Sequence, residues 1–414
     1  MHLTRLAVSN NQVSGTLPPC YSTLTSLAYL YLDNNQLTGS LPKEWSSMQQ
    51  MRGLVINMNQ LSGQLPPEWG PSMSSLGGLS LQNNLLSGPL PAQWSMLSSL
   101  QSLVLQGNKF GGTLPASWSS LTSLFGLFLQ ANNLKGTLPV EWSTLQLLQG
   151  LCLTGDNLTG SLPPSWSALG NMQGLLLDGN QLTGGLPPSW SKLSQLQSLS
   201  LQRNMLSGPL PAFWSTMASL HGLMLEGNRL SGMLPPAWSA LAFCQALDLS
   251  GNQLLSGTLP PSWGALTSLQ GLDLSSNQLD GPLPPAWSSM KSLGALKLGA
   301  NSLTSTIPPQ WATASGMAKL SCTTAASGKS CNIQLANNSG LVGAVPLSFA
   351  GLDVSGTGLI SAVAGKPALV AAGGPPVYGW GAGVLVQDVW VIIIIIIKRR
   401  SGINPIPPTV IDRD

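Results

Sequence analysis

The sequence predicts an α/β repeat solenoid of about 13 coils, each of 24 residues carrying a short strand and a helical turn. Two observations lead there. One position recurs as Asn11, Asn35, Asn59, Asn84, Asn108, Asn132, Asp156, Asn180, Asn204, Asn228, Asn252, Asn277 and Asn301. Ten or eleven residues after nearly every one stands a tryptophan, twelve in all from Trp45 to Trp311, with Tyr21 in that place in the first coil. The step is 24 residues and stretches to 25 twice, around Gly70–Ser72 and at the doubled Leu254–Leu255.

The coil Leu196–Ser219, LQSLSLQRNMLSGPLPAFWSTMAS, shows what each part does. Leu199 and Leu201 alternate with Ser198, Ser200 and Gln202, the period of two of a strand with one buried face. Asn204 follows where the chain must turn. A buried amide there both donates and accepts, so it satisfies backbone groups that the turn leaves unpaired. Asn35, Asn59, Asn84, Asn108, Asn132, Asn180, Asn204 and Asn228 are therefore read as a structural ladder. Leu206 returns inward, Gly208 permits a tight bend, and Pro211 suits the start of a helical turn. Trp214 and Leu220 give that turn its apolar side. One coil buries too little apolar surface to offset its own ordering, so stability belongs to the stack.

The pattern LxxLxLxxNxLxGxLPxxW, as in LYLDNNQLTGSLPKEW (30–45), LCLTGDNLTGSLPPSW (151–166) and LDLSSNQLDGPLPPAW (272–287), resembles the plant-type leucine-rich repeat. Its tryptophan is similar to that of green-algal repeats and of some protozoan surface antigens. The resemblance covers residues 1–312. It implies a curved array with a parallel concave sheet, short second strands and 3-10 or helical turns outside, and a receptor-like protein without a kinase. A ligand or protein would bind on the concave sheet.

Period-two logic marks which side chains face away from the core leucines. Val104, Phe128, Cys152 and Leu176 form an apolar strip there, flanked by Gln106, Gln130 and Asp178 and by a column of Gly and Ser. We expect this strip to be open to solvent and to bind a protein or peptide ligand; the other reading is that such residues simply suit a sheet surface. The tryptophans sit where a core residue belongs and read as packing, not as a carbohydrate site. Asp156 interrupts the ladder as a tolerated substitution, since a carboxylate still accepts from loop N–H groups. Asn157 and Asn337 begin glycosylation sequons that matter only in an exported chain.

Composition narrows the function classes. Charged residues make up 7% of the chain and the net charge is +3, too little for an electrostatic grip on nucleic acid. The histidines, His2 and His221, have no nucleophile or carboxylate at a catalytic spacing. No metal-binding spacing, nucleotide loop or other cofactor motif is present, so we expect a non-catalytic chain with no cofactor and no metal.

The chain starts mid-repeat, without a signal peptide or an N-terminal cap. The expectation is an upstream segment that exports the protein; an intracellular scaffold, on cytoskeleton or cilium axoneme, is the alternative. After Trp311 the period breaks. Residues 313–366 read as a cysteine-bearing insertion with Cys322 and Cys331 as a candidate disulfide, then a degenerate repeat and a C-terminal cap. Residues 367–414 form a low-complexity tail. Its stretch 377–397 is long enough to span a membrane and meets Lys398-Arg399-Arg400, while Asp388 near its centre argues against a span.

Overall fold

The computed structural model describes residues 3–312, 317, 320, 322–325, 328–346, 349 and 352–360. The chain divides into two compact units at Leu182–Thr183. In the first, eight three-residue strands lie parallel: Arg5–Ala7, Tyr29–Tyr31, Gly53–Val55, Gly78–Ser80, Ser102–Val104, Gly126–Phe128, Gly150–Cys152 and Gly174–Leu176. Their register is strict, with Leu103, Leu127, Leu151 and Leu175 as consecutive partners. The second unit repeats the scheme with Ser198–Ser200, Gly222–Met224, Ala246–Asp248, Gly271–Asp273, Ala295–Lys297 and Ile333–Gln334. From Tyr29–Tyr31 on, the inward row from Leu30 to Ile333 and the residues two positions further along are buried, as the period of two requires, while Leu6 and Val8 of the first strand are half-buried.

Behind the sheet, most coils return through a second short strand, such as Lys135–Thr137 or Arg229–Met233. A glycine in left-handed backbone ends the bend. At Gly136 φ is +84°, and an added Cβ would come within 2.9 Å of the Thr113 methyl one coil earlier. That position therefore needs glycine on two counts.

The helical turns are 3-10 in all coils but one. Each begins after a proline whose carbonyl accepts the backbone N–H of the tryptophan, or of Tyr21 in the first coil, as Pro91 does for Trp94 at 3.1 Å. The exception is the stretched coil, where Trp69–Ser72 forms one α-helical turn closed by Met73 N–H on the Trp69 carbonyl at 2.9 Å. An extra residue converts the i+3 closure into i+4. Gly70 makes room for it, because a Cβ there would fall 2.1 Å from the Gln93 carbonyl oxygen. The second stretch is absorbed differently: Leu254 bulges out, 53% exposed, and Leu255 takes the core place.

All twelve tryptophans of the repeat column are buried. Within each unit neighbouring rings stack with centroids near 6.3–6.5 Å and nearly parallel planes, as in Trp45–Trp69 (6.3 Å) and Trp190–Trp214 (6.5 Å). Each indole N–H also has an acceptor. Trp118 Nε1 donates to the Pro91 carbonyl and Trp142 Nε1 to that of Pro115, both at 3.0 Å and both one coil back. The indole thus fills the core and bonds adjacent coils together.

The polar ladder is equally regular. Asn180 Nδ2 donates to the carbonyls of Leu153, Leu177 and Asp178 at 2.8–3.2 Å, and its Oδ1 accepts Leu158 N–H at 3.1 Å. Asn35, Asn59, Asn84, Asn108 and Asn132 make the same four bonds within the first unit. In the second unit Asn228 donates to Leu201, Leu225 and Glu226 and accepts from Leu206, and Asn204 donates to Leu201 and Gln202 within its own coil.

Beyond Trp311, Cys322–Ala325 and Gly328–Cys331 pair antiparallel, with Cys322 and Cys331 as facing partners in the register. Asn338, Leu341 and Val345 then rebuild a coil, Asn338 bonding back to the Leu298 carbonyl at 3.0 Å. The stretch 377–397 lies outside the described residues. Among those described, no helix is long and apolar enough to cross a membrane.

Candidate sheet-face site

The first unit brings Val104, Phe128, Cys152 and Leu176 together as consecutive in-register partners on four strands. Strand spacing makes this row roughly 15 Å long. The expectation that it is open to solvent is corrected. Fractional exposures are 2, 0, 3 and 4%, so the row has almost no solvent surface in the folded chain. The register explains part of this, because each side chain is walled on both flanks by its partner one strand away. Alternation along a strand tells which face a residue takes, not whether that face is wet.

The polar edge is bonded along the same direction. Gln130 Nε2 donates to Gln106 Oε1 at 2.6 Å, and both amides are buried. Thr154 Oγ1 donates to Asp178 Oδ1 at 2.8 Å, with Cys152 Sγ 3.5 Å from the same hydroxyl. Thr154 and Asp178 remain half-exposed. Burial pushes the Cys152 thiol up to about 12, so it stays protonated and is no nucleophile at neutral pH. Gln130 Oε1 and Ser102 Oγ, the latter in the glycine-serine column, are buried without a hydrogen-bond partner.

Towards the start of this face the character changes. Tyr29 and Tyr31 stack at 6.3 Å, and the Arg5 guanidinium lies 5.0 Å from the Tyr31 ring centroid. The second unit's face carries charge instead. Lys297 Nζ sits 3.2 Å from Asp273, which also accepts from Ser275 N–H and Oγ–H. Burial, and then the Asp273 carboxylate, push the Asp248 carboxyl above its usual range.

The remaining singled-out residues lie elsewhere. Asn157 is exposed at the start of a second strand, behind the sheet. Asn337 stands in left-handed backbone with φ of 59°. Cys20, Cys152 and Cys244 are free thiols. His221 Nδ1 lies 2.7 Å from the Ser219 carbonyl, and its ring stacks on Phe243. Among the described residues no group of His, Cys, Asp and Glu is placed to hold a metal ion.

Comparison with known proteins agrees with this architecture. The Leucine Rich Repeat family profile matches residues 26–48, 99–121, 171–193, 195–217, 244–266 and 268–290. Among solved structures, a leucine-rich-repeat protein of Leptospira interrogans is 30% identical, with a TM-score of 0.64 over 86% of this chain and 78% of that one. The chain belongs to the leucine-rich-repeat family. A TDR receptor is 28% identical with a TM-score of 0.78 over 86% of this leucine-rich-repeat chain, which spans 60% of that receptor structure. The Arabidopsis receptor kinase HAESA, solved with the peptide hormone IDA and the co-receptor SERK1, is 28% identical with a TM-score of 0.61, covering 86% of this chain and 71% of that one. No curated protein sequence matches. The repeats are of the plant type.

Proposed function

We propose that this leucine-rich-repeat protein is a non-catalytic recognition module that binds an extended peptide or protein segment along its sheet face, receptor-like and at the cell surface. The observation that carries the reading is the pair of in-register rows in the first unit. One row is apolar, Val104 to Leu176, and the other is polar, Gln106 to Asp178. Such rows suit a ligand that offers apolar side chains to one and polar groups to the other. HAESA's structure with a peptide hormone supports a peptide as the ligand class.

The closed apolar row shapes the mechanism. Thr154 and Asp178, which are half-exposed, meet the ligand first, beside the apolar row. The experiment is selection of binders from a displayed library of extended peptides against the full chain, followed by titration of variants. Asp178→Ala should weaken the selected peptide about tenfold or more, whereas Phe213→Ser, on an outer turn, should leave it unchanged. Binding lost with Phe213→Ser and kept with Asp178→Ala would move the site off the sheet face.

A further inference from the structure

We propose that Asp156 is a pH-responsive rung of the ladder: it folds as a carboxylic acid whose own proton makes the bond that an asparagine amide makes in neighbouring coils, so the first unit tightens in acid and loosens as that proton leaves.

The geometry comes from comparing rungs. Asp156 Oδ1 accepts Leu134 N–H at 3.0 Å, as Asn132 Oδ1 accepts Phe110 N–H and Asn180 Oδ1 accepts Leu158 N–H. The second atom of the group is where the rungs differ. In Asn132 and Asn180 it is an Nδ2 that donates to three backbone carbonyls. In Asp156 it is Oδ2, buried and without a hydrogen-bond partner. By the register of the repeat, the carbonyls it faces are those of Leu129, Leu153 and Thr154. An ionised oxygen among carbonyl oxygens is repelled by all of them and has lost its water. A protonated one donates a hydrogen bond to one of them. The ladder therefore demands a donor, and aspartate supplies one only as the acid.

Burial pushes this carboxyl up to about 7, with the backbone N–H groups of Leu134 and Asn132 pulling the other way. The other titratable groups on its own and adjoining coils are Cys152, Asp178, Lys135, Glu141 and Lys192. The Cys152 thiol is buried and neutral, Asp178 is half-exposed and bonded to Thr154, and Lys135, Glu141 and Lys192 are exposed.

The sign follows from linkage. An unfolded aspartate releases its proton near 3.8, and the folded one near 7. Below the lower value both states are protonated and the rung costs nothing. Between the two, the folded state alone holds the proton, so stability falls as pH rises; above about 7 it levels off.

The test compares the full chain with Asp156→Asn by urea unfolding from pH 4 to pH 8.5. The variant carries the amide that the other rungs carry, so the two midpoints should coincide near pH 4. The variant's lead should grow to pH 7 and then stay constant. Infrared spectra at pH 5.5 should show a protonated carboxyl carbonyl stretch that disappears in Asp156→Asn. A second variant, Asn108→Asp, should install a matching decline in another coil. A midpoint difference that does not change with pH, a lead that grows towards acid, or identical infrared bands would each overturn the proposal.

Discussion

Trp118 Nε1 donates a 3.0 Å hydrogen bond to the carbonyl of Pro91, one coil earlier, and the same bond recurs along both units. Phenylalanine at that position would stack but could not make it. Trp118→Phe should therefore remove one of the two bonds that the buried Pro91 carbonyl accepts, leaving that from Trp94 N–H, and cost about 0.5–1.5 kcal/mol. Trp118→Ala should cost about 3–5 kcal/mol, through the added cavity. Urea midpoints at unchanged slope measure both. Equal losses in the two variants would remove the hydrogen bond from consideration.

Asn180 ties its own turn to the preceding coil through four bonds. Asn180→Ala strands the buried N–H of Leu158 and removes the amide from the buried Leu153 carbonyl, a loss of about 1–3 kcal/mol. Asn180→Asp should lose less in acid than at neutral pH, because only the acid form can donate. An unchanged midpoint in Asn180→Ala would show that water replaces the amide at no cost.

Phe128 has no exposed surface. Phe128→Ser should cost about 3 kcal/mol or more, as for other large-to-small changes in a closed environment. This reverses what the alternation of the strand suggests, since a side chain on a wet face would tolerate serine. Stability within 0.5 kcal/mol of the parent, the range usual for surface changes, would restore the open strip.

Gly70 lies against the Gln93 carbonyl. Gly70→Ala should force apart two adjacent turns, at about 1–3 kcal/mol. Gly170→Ala, whose added Cβ would have nothing within 4 Å, is the control. A loss equal in both variants would trace the effect to backbone freedom and not to the clash.

Much of this was legible because repetition averages out local ambiguity. Any one strand of three residues is too short to read, but Leu79, Leu103, Leu127 and Leu151 at a fixed step leave no choice of register. The burial of the tryptophan column and the inward turn of Asn180 follow from the same register. What escaped was contact information. The sequence marks an extra residue near Gly70 but not that it converts a 3-10 turn to an α turn. It places Phe128 opposite the core but says nothing of cover. It shows Asp156 in an asparagine column, and a carboxylate that accepts a hydrogen bond looks tolerable until the second oxygen is found without a donor. The facing register of Cys322 and Cys331 needed the hairpin between them.

The most direct test of recognition on the sheet face is a hydrogen-exchange footprint of the full chain with a peptide selected from the displayed library. The reading predicts slowed exchange centred on Gly126–Phe128, Gly150–Cys152 and Gly174–Leu176 and on the adjoining Thr154 and Asp178, with the outer turn Ala212–Thr216 unchanged. Protection confined to outer turns or second strands, with these three strands unaffected, would contradict it.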